Sequence, residues 1–272
     1  MIGSSSLNVR VLGTGKPLLC LHGHPGSGES MSVFTQSLSR RFRTIAPDLR
    51  GYGRTPVQEE FEMIDHLDDL EALLEQLEID RFWLLGWSLG GILSIELALR
   101  FPQRVEGLIL VATAAHPRSN HPPITWQDLA YTGVAGILNA WQPGWKWNIE
   151  TFGKRSLFQH LIQQHTPETY QYLATEGVSA YLQTTAAARR ALEKAIRGGY
   201  NRLPELETIQ CPCLVLAGER DRHITPEASR ETAQNLPNSQ WQCYPNTAHL
   251  FPWEIPDRVL QDIDRWLDTI ID

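Results

Sequence analysis

The stretch Phe82-Trp83-Leu84-Leu85-Gly86-Trp87-Ser88-Leu89-Gly90-Gly91-Ile92-Leu93 constrains the fold more than any other. An apolar run of strand length ends at Gly86, a serine follows two residues later, and a second apolar run of helical length begins at once. This is the G-x-S-x-G pattern of a strand that reverses sharply into a helix and holds a serine hydroxyl at the tip. The glycines are there for steric reasons, because backbone meets backbone at such a turn. The N–H of Leu89, at the start of the new helix, points where a developing oxyanion could be held, and the helix dipole favours negative charge there. Without that flanking pattern, a bare G-x-S-x-G would be only a glycine-rich turn.

The rest of the chain supplies the sheet that such a turn requires. Residues 7–12 alternate weakly, as an edge strand does. Leu18-Leu19-Cys20-Leu21, Thr44-Ile45-Ala46, Leu108-Ile109-Leu110-Val111 and Cys213-Leu214-Val215-Leu216 are short continuous apolar runs, as expected for parallel strands covered on both faces. Residues 240–244 form a last strand. Between them lie helical patterns at 30–38, 61–77 and 88–100, with Thr225-Pro226 as an N-cap and first helical position. A final helix from Pro256 places Val259, Ile263, Trp266 and Ile270 on one face. Alternating strands and helices predict an α/β fold with a doubly wound, mostly parallel sheet. That rhythm stops after Ala115. Residues 116–203 hold helical stretches at 157–164 and 186–196 and no convincing strand. They read as a helical cap inserted into a core made of 1–115 and 204–272.

With 272 residues, 42% of them hydrophobic, the chain can bury one large core. A net charge of −7 argues against a nucleic-acid or anionic-membrane partner. No run reaches the roughly 20 apolar residues of a membrane span, and Met1-Ile2-Gly3-Ser4-Ser5-Ser6 lacks the pattern of a secretion signal. Cys20, Cys211, Cys213 and Cys243 form no C-x-x-C pair and no zinc-spaced cluster, so a cytoplasmic protein with plain thiols is expected.

A serine hydroxyl becomes a nucleophile when a base takes its proton, and the base needs a third group to orient it. Doubly wound sheets keep such groups on loops at the carboxyl ends of strands. Two loops qualify: Gly218-Glu219-Arg220-Asp221 and Asn246-Thr247-Ala248-His249. The order Ser88, Asp221, His249 is the one that accompanies a G-x-S-x-G turn. Glu219 is a rival acid and His223 a rival base. His66 reads as lying on an outer helix, His116 and His121 in a linker, and His160 and His165 in the cap. His22 and His24 spell H-x-H, but Pro25-Gly26-Ser27 follows where a metal site would need further ligands. Neither a metal nor a cofactor is expected.

Together these residues carry a resemblance to the α/β-hydrolase superfamily, in the capped branch that includes esterases, proline iminopeptidases, C–C bond hydrolases and cofactor-free haloperoxidases. His22-Gly23-His24-Pro25-Gly26, Asp48-Leu49-Arg50-Gly51-Tyr52-Gly53, the elbow with Gly91, Gly218-Glu219-Arg220-Asp221 and Ala248-His249 are the similar motifs. The resemblance implies an α/β-hydrolase fold of eight strands. It also implies that the N–H of His24 joins that of Leu89 in the oxyanion hole, and that acyl transfer proceeds through a Ser88 acyl-enzyme. The string Gly-Trp-Ser-Leu-Gly-Gly looks most like carboxylesterases of the pimeloyl-methyl-ester type, which implies ester hydrolysis on a small, partly apolar molecule, with amide cleavage as the next reading. Trp87 and the cap residues Trp126, Trp141, Trp145 and Trp147 either line the substrate pocket or hold the cap together. Some proteins of this fold bind ligands without turning them over.

Overall fold

The computed structural model describes residues 7–55, 57 and 59–271. Its strands are β1 (Val9–Leu12), β2 (Pro17–Leu21), β3 (Arg43–Pro47), β4 (Phe82–Trp87), β5 (Val105–Val111), β6 (Cys213–Gly218) and β7 (Ser239–Tyr244). They form one sheet in the order β1-β3-β2-β4-β5-β6-β7. β1 runs antiparallel to β3, and every other neighbouring pair is parallel. The described residues thus supply seven strands where eight were implied. Residues 1–6, read above as lacking a secretion signal, lie outside them.

Strand periodicity explains the two-sided core. Along β4, Phe82 and Leu84 pack on one face while Trp83, Leu85 and Trp87 pack on the other. β2, β5 and β6 divide in the same way, because successive side chains point to opposite faces of a sheet. One face is covered by α2 (Asp65–Gln76), α3 (Leu89–Arg100) and α10 (Pro226–Asn235), the other by α1 (Ser32–Leu38) and α12 (Pro256–Asp268). The doubly wound, mostly parallel sheet is therefore present as expected.

Between β5 and β6 the chain forms α4 (Trp126–Trp141), α5 (Lys146–Thr151), α6 (Phe158–Leu161), α7 (Pro167–Tyr172), α8 (Val178–Leu182) and α9 (Ala186–Arg197), with one π-helical turn at Leu173–Gly177. Backbone hydrogen bonds tie this segment down at several points: Leu250 N–H to Leu161 O (3.0 Å), Thr185 N–H to Gly51 O (2.9 Å) and Asn120 N–H to Arg222 O (3.1 Å). α11 (Phe251–Glu254) follows the His249 loop and meets α7. No helix of the described residues is long and apolar enough to cross a membrane.

Several boundaries differ from those expected, each for a local reason. The helix expected at 61–77 begins only at Asp65, whose carboxylate accepts the Glu62 N–H and holds the entry turn. The helix expected at 157–164 shrinks to α6, because Ile162 is extended and the chain then bends so that the Gln163 and Gln164 N–H groups donate to the Glu254 carboxylate. Ile270 lies past the end of α12 and is 39% exposed, so it does not share the buried face of Val259, Ile263 and Trp266. His66 is buried rather than outward, set against Tyr52 and Phe61.

Candidate active site

β2 has β3 on one side and β4 on the other, so the loops leaving β2 and β4 diverge and open a crevice at their carboxyl ends. The His22–Gly28 loop leaves β2 and Ser88 leaves β4, on adjacent strands. At Ser88 the backbone takes φ 53° and ψ −116°, a left-handed conformation that a serine adopts only where its surroundings impose it. The surroundings are close. A Cβ at Gly86 would lie 2.2 Å from Gly90 O, and one at Gly90 would lie 2.0 Å from Leu21 O. Side chains there would push helix α3 off the sheet. Thr113 Oγ1 also donates to Ser88 O (2.8 Å) and pins the turn from the neighbouring strand end.

His249 reaches across from the loop after β7. Its Nε2 lies 3.1 Å from Ser88 Oγ and its Nδ1 lies 2.7 Å from Asp221 Oδ2. With the proton on Nδ1, Nε2 presents a lone pair to the serine hydroxyl. Asp221 Oδ1 accepts the N–H groups of His223 (2.8 Å) and Ile224 (3.1 Å), so the fully buried carboxylate is held by its own loop. Glu219 faces half into solvent, accepting the Asn246 N–H and pairing with Arg220. The geometry brings together Ser88, His249 and Asp221 and leaves Glu219 outside.

The loops on the other side of Ser88 are equally organised. Neither the Leu89 N–H nor the His24 N–H donates to another group of the described residues. Asp48 Oδ1 accepts Gly28 N–H (2.7 Å), and Oδ2 accepts Arg54 N–H (2.8 Å) and Asn8 Nδ2 (2.9 Å). One buried carboxylate thus fixes the β2 loop to the β3 loop. His22 Nε2 accepts Leu49 N–H (3.1 Å), which leaves its Nδ1–H to donate to Gly23 O (2.8 Å). Both His22 nitrogens are engaged, and His24 Nδ1 bonds Tyr52 Oη (2.8 Å), so the H-x-H pair serves loop geometry. Among the described residues, no group of three or more His, Cys, Asp or Glu is placed to hold a metal.

Glu254, which no sequence motif marked, is central to this assembly. Its Oε1 accepts Ala248 N–H (2.8 Å), and its Oε2 accepts Gln163 N–H (3.0 Å) and Gln164 N–H (2.5 Å). It therefore ties the backbone beside His249 to the inserted helical segment. Burial pushes its carboxyl above the usual range, and the three N–H donors pull it back. The only sequence signal was an acid two residues after Pro252, a pattern common to surface helices.

The tryptophans separate. Trp87 is buried, with its ring 5.7 Å from that of His249. Trp126 and Trp141 are each 76% exposed and Trp147 is 52% exposed, more than side chains that line a pocket or hold a cap together would be. Trp141, Trp145, Trp147 and Phe152 contact one another in sequence along the segment, and no described aromatic contact joins Trp126, Trp141, Trp145 or Trp147 to His249. Position within an insert says nothing about which of its faces meets the core.

A row of imidazoles leads away from His249: His223 at 5.2 Å, then His121 at 4.7 Å and His160 at 4.5 Å between ring centroids. His223 is pushed down to about 3 by burial and by the neighbouring His249, His121 and His160. Burial likewise lowers His22 and His24 to about 4 and His66 to about 3. All four stay neutral in the fold below the reference imidazole value of about 6.5, where the unfolded chain takes up protons. The sign follows: stability present above pH 6.5 is lost as pH falls toward 4. Each of the four withdraws on the order of 1–2 kcal/mol at pH 5. Glu176, raised by burial to about 6, and Glu254 act in the opposite direction. Thermal melts should therefore show Tm falling steadily from pH 7 to pH 5; a flat or rising Tm would contradict the assignment.

Comparison with known proteins agrees with this fold. Residues 16–143 match the family model described as alpha/beta hydrolase fold. The chain is 28% identical to a pimeloyl-[acyl-carrier protein] methyl ester esterase of Nitrosospira multiformis, over 97% of this chain and 99% of that protein. It is also 28% identical to a proline iminopeptidase of Levilactobacillus brevis, over 92% and 88%. A solved thermophilic esterase from Thermogutta terrifontis superposes with a TM-score of 0.71 at 28% identity, covering 98% of this chain and 94% of that one.

Proposed function

We propose that this chain, which has the α/β-hydrolase fold, is a serine esterase that cleaves small, partly apolar esters through an acyl-enzyme. The observation that carries this reading is the continuous hydrogen-bond relay Asp221–His249–Ser88, with two unengaged N–H groups beside the serine. Ser88 Oγ attacks the ester carbonyl as His249 Nε2 takes its proton. The Leu89 and His24 N–H groups receive the oxyanion. Asp221 keeps the imidazole in the productive tautomer and stabilises its charged form. His249 then protonates the departing alcohol, and a water activated by the same nitrogen releases the acid. Residues 116–203 act as the cap over this cleft, with Glu254 as one of its ties.

Ester chemistry is favoured over amide chemistry by the esterase relatives, which cover the chain end to end. A panel of p-nitrophenyl esters and aminoacyl-naphthylamides tests this. Turnover is expected on the esters, with chain-length selectivity. Turnover confined to the aminoacyl amides would replace the reading by an aminopeptidase, and turnover of neither, in folded protein, by a ligand-binding role.

A further inference from the structure

Among the described residues, two buried indole N–H groups near Ser88 and His249 have no hydrogen-bond partner. Trp87, at the end of β4, is 4% exposed and Trp253, in α11, is 7% exposed, and the Nε1 of each is unpaired. The rings touch, with centroids 4.6 Å apart at 71°. A buried tryptophan usually finds an acceptor for its N–H, and leaving a buried donor unsatisfied is costly. An indole edge against an indole face compensates far less than an oxygen would. Two such donors on touching rings, one of them on the residue before Ser88 and beside His249, call for an explanation from function.

Their surroundings indicate what could satisfy them. Gly23 lies against the six-membered ring of Trp87, since a Cβ there would sit 2.8 Å from Cε3 and 3.0 Å from Cζ3 and from the Cβ of Ser88. The pyrrole edge of Trp87, which carries Nε1, is therefore turned away from the oxyanion loop. Trp253 stacks on Tyr172 from the inserted segment, at 4.4 Å and 20°, and meets Phe34 of α1 edge-on at 6.4 Å. Trp87, Trp253, Tyr172 and Phe34 thus form a continuous aromatic cluster that reaches the serine at Trp87. Sequence pattern offered no hint of Trp253, which lies in a four-residue helix.

We infer that Trp87 and Trp253 form an acyl-side subsite whose indole N–H groups select acyl groups bearing an ether or keto oxygen over plain hydrocarbon chains. The aromatic cluster packs the carbon skeleton, and the two donors share the oxygen. This rests on the esterase reading above. It also makes Trp253 a specificity residue contributed from the loop that carries the catalytic histidine.

The test compares p-nitrophenyl hexanoate with p-nitrophenyl 5-oxohexanoate, and p-nitrophenyl butanoate with p-nitrophenyl methoxyacetate. Each kcat/KM is divided by the rate of hydroxide hydrolysis of the same ester. The wild type is expected to prefer the oxygen-bearing member of at least one pair. Trp253→Phe and Trp87→Phe, which keep an aromatic ring and remove the N–H, are expected to reduce that preference roughly 3–10-fold. Because a ratio is read, general damage to the fold cancels. No preference in the wild type, or the same preference in both variants, overturns the subsite while leaving the esterase reading intact. A separate binding measurement does not depend on turnover. In Ser88→Ala protein, methyl 4-oxopentanoate should move the indole ¹H–¹⁵N resonances of Trp87 and Trp253, identified by their loss in the two Phe variants, and methyl hexanoate should not. Equal responses to both esters, or none, would also overturn the subsite.

Discussion

Ser88→Ala protein should fold normally and lose ester turnover by a factor on the order of 10⁶ in kcat, by analogy with removal of the serine from a bacterial serine protease. The change deletes one oxygen at a half-buried position and leaves the relay behind it intact. Its expected effect on stability is favourable or small. Ser88 occupies φ 53°, and alanine meets the same backbone penalty while leaving no hydroxyl without a base. Activity that survived at more than a few per cent of wild type would mean another nucleophile does the work. Steady-state kinetics on a p-nitrophenyl ester, with a thermal melt as the control for folding, measures both.

Asp221→Asn is the second large effect, expected to lower kcat on the order of 10⁴-fold, as in the serine-protease case. Asparagine keeps the shape, so Oδ1 can still accept from His223 and Ile224. The amide NH₂ then faces His249 Nδ1, which must act as the acceptor, and the imidazole proton moves to Nε2. Nε2 cannot then take the serine proton. The loss should appear in kcat more than in KM, because the carboxylate touches no substrate. An equal loss in Glu219→Gln, with Asp221→Asn unaffected, would reverse the assignment of the acid.

What the sequence displayed, and what it concealed, follows from the range of the forces involved. The elbow was legible because close backbone approach admits only glycine at 86 and 90, whatever the rest of the protein does. The parallel strands were legible because burial on two faces demands unbroken apolar runs such as Leu18–Leu21. Asp221 and His249 could be paired with Ser88 from chain order and from their place after strands. Glu254, Trp253 and the burial of His66 could not be read in this way. Each depends on how one segment docks against another: the 163–164 turn reaching Glu254, Tyr172 stacking on Trp253, α2 turning His66 toward Tyr52. The exposure of Trp126 and Trp141 was illegible for the same reason. The proposed oxyanion groups fall between the two cases, since Leu89 follows from the elbow itself, whereas His24 required the resemblance.

The account stands on Ser88 being the nucleophile of an assembled relay, and covalent labelling tests that most directly. Native protein is incubated with a fluorophosphonate at neutral pH, digested, and mapped by mass spectrometry, beside Ser88→Ala and His249→Ala. The expected result is a single adduct on the peptide containing Ser88, absent in Ser88→Ala and strongly slowed in His249→Ala. Folded wild-type protein that takes up no label, or carries it on another residue, would contradict the account.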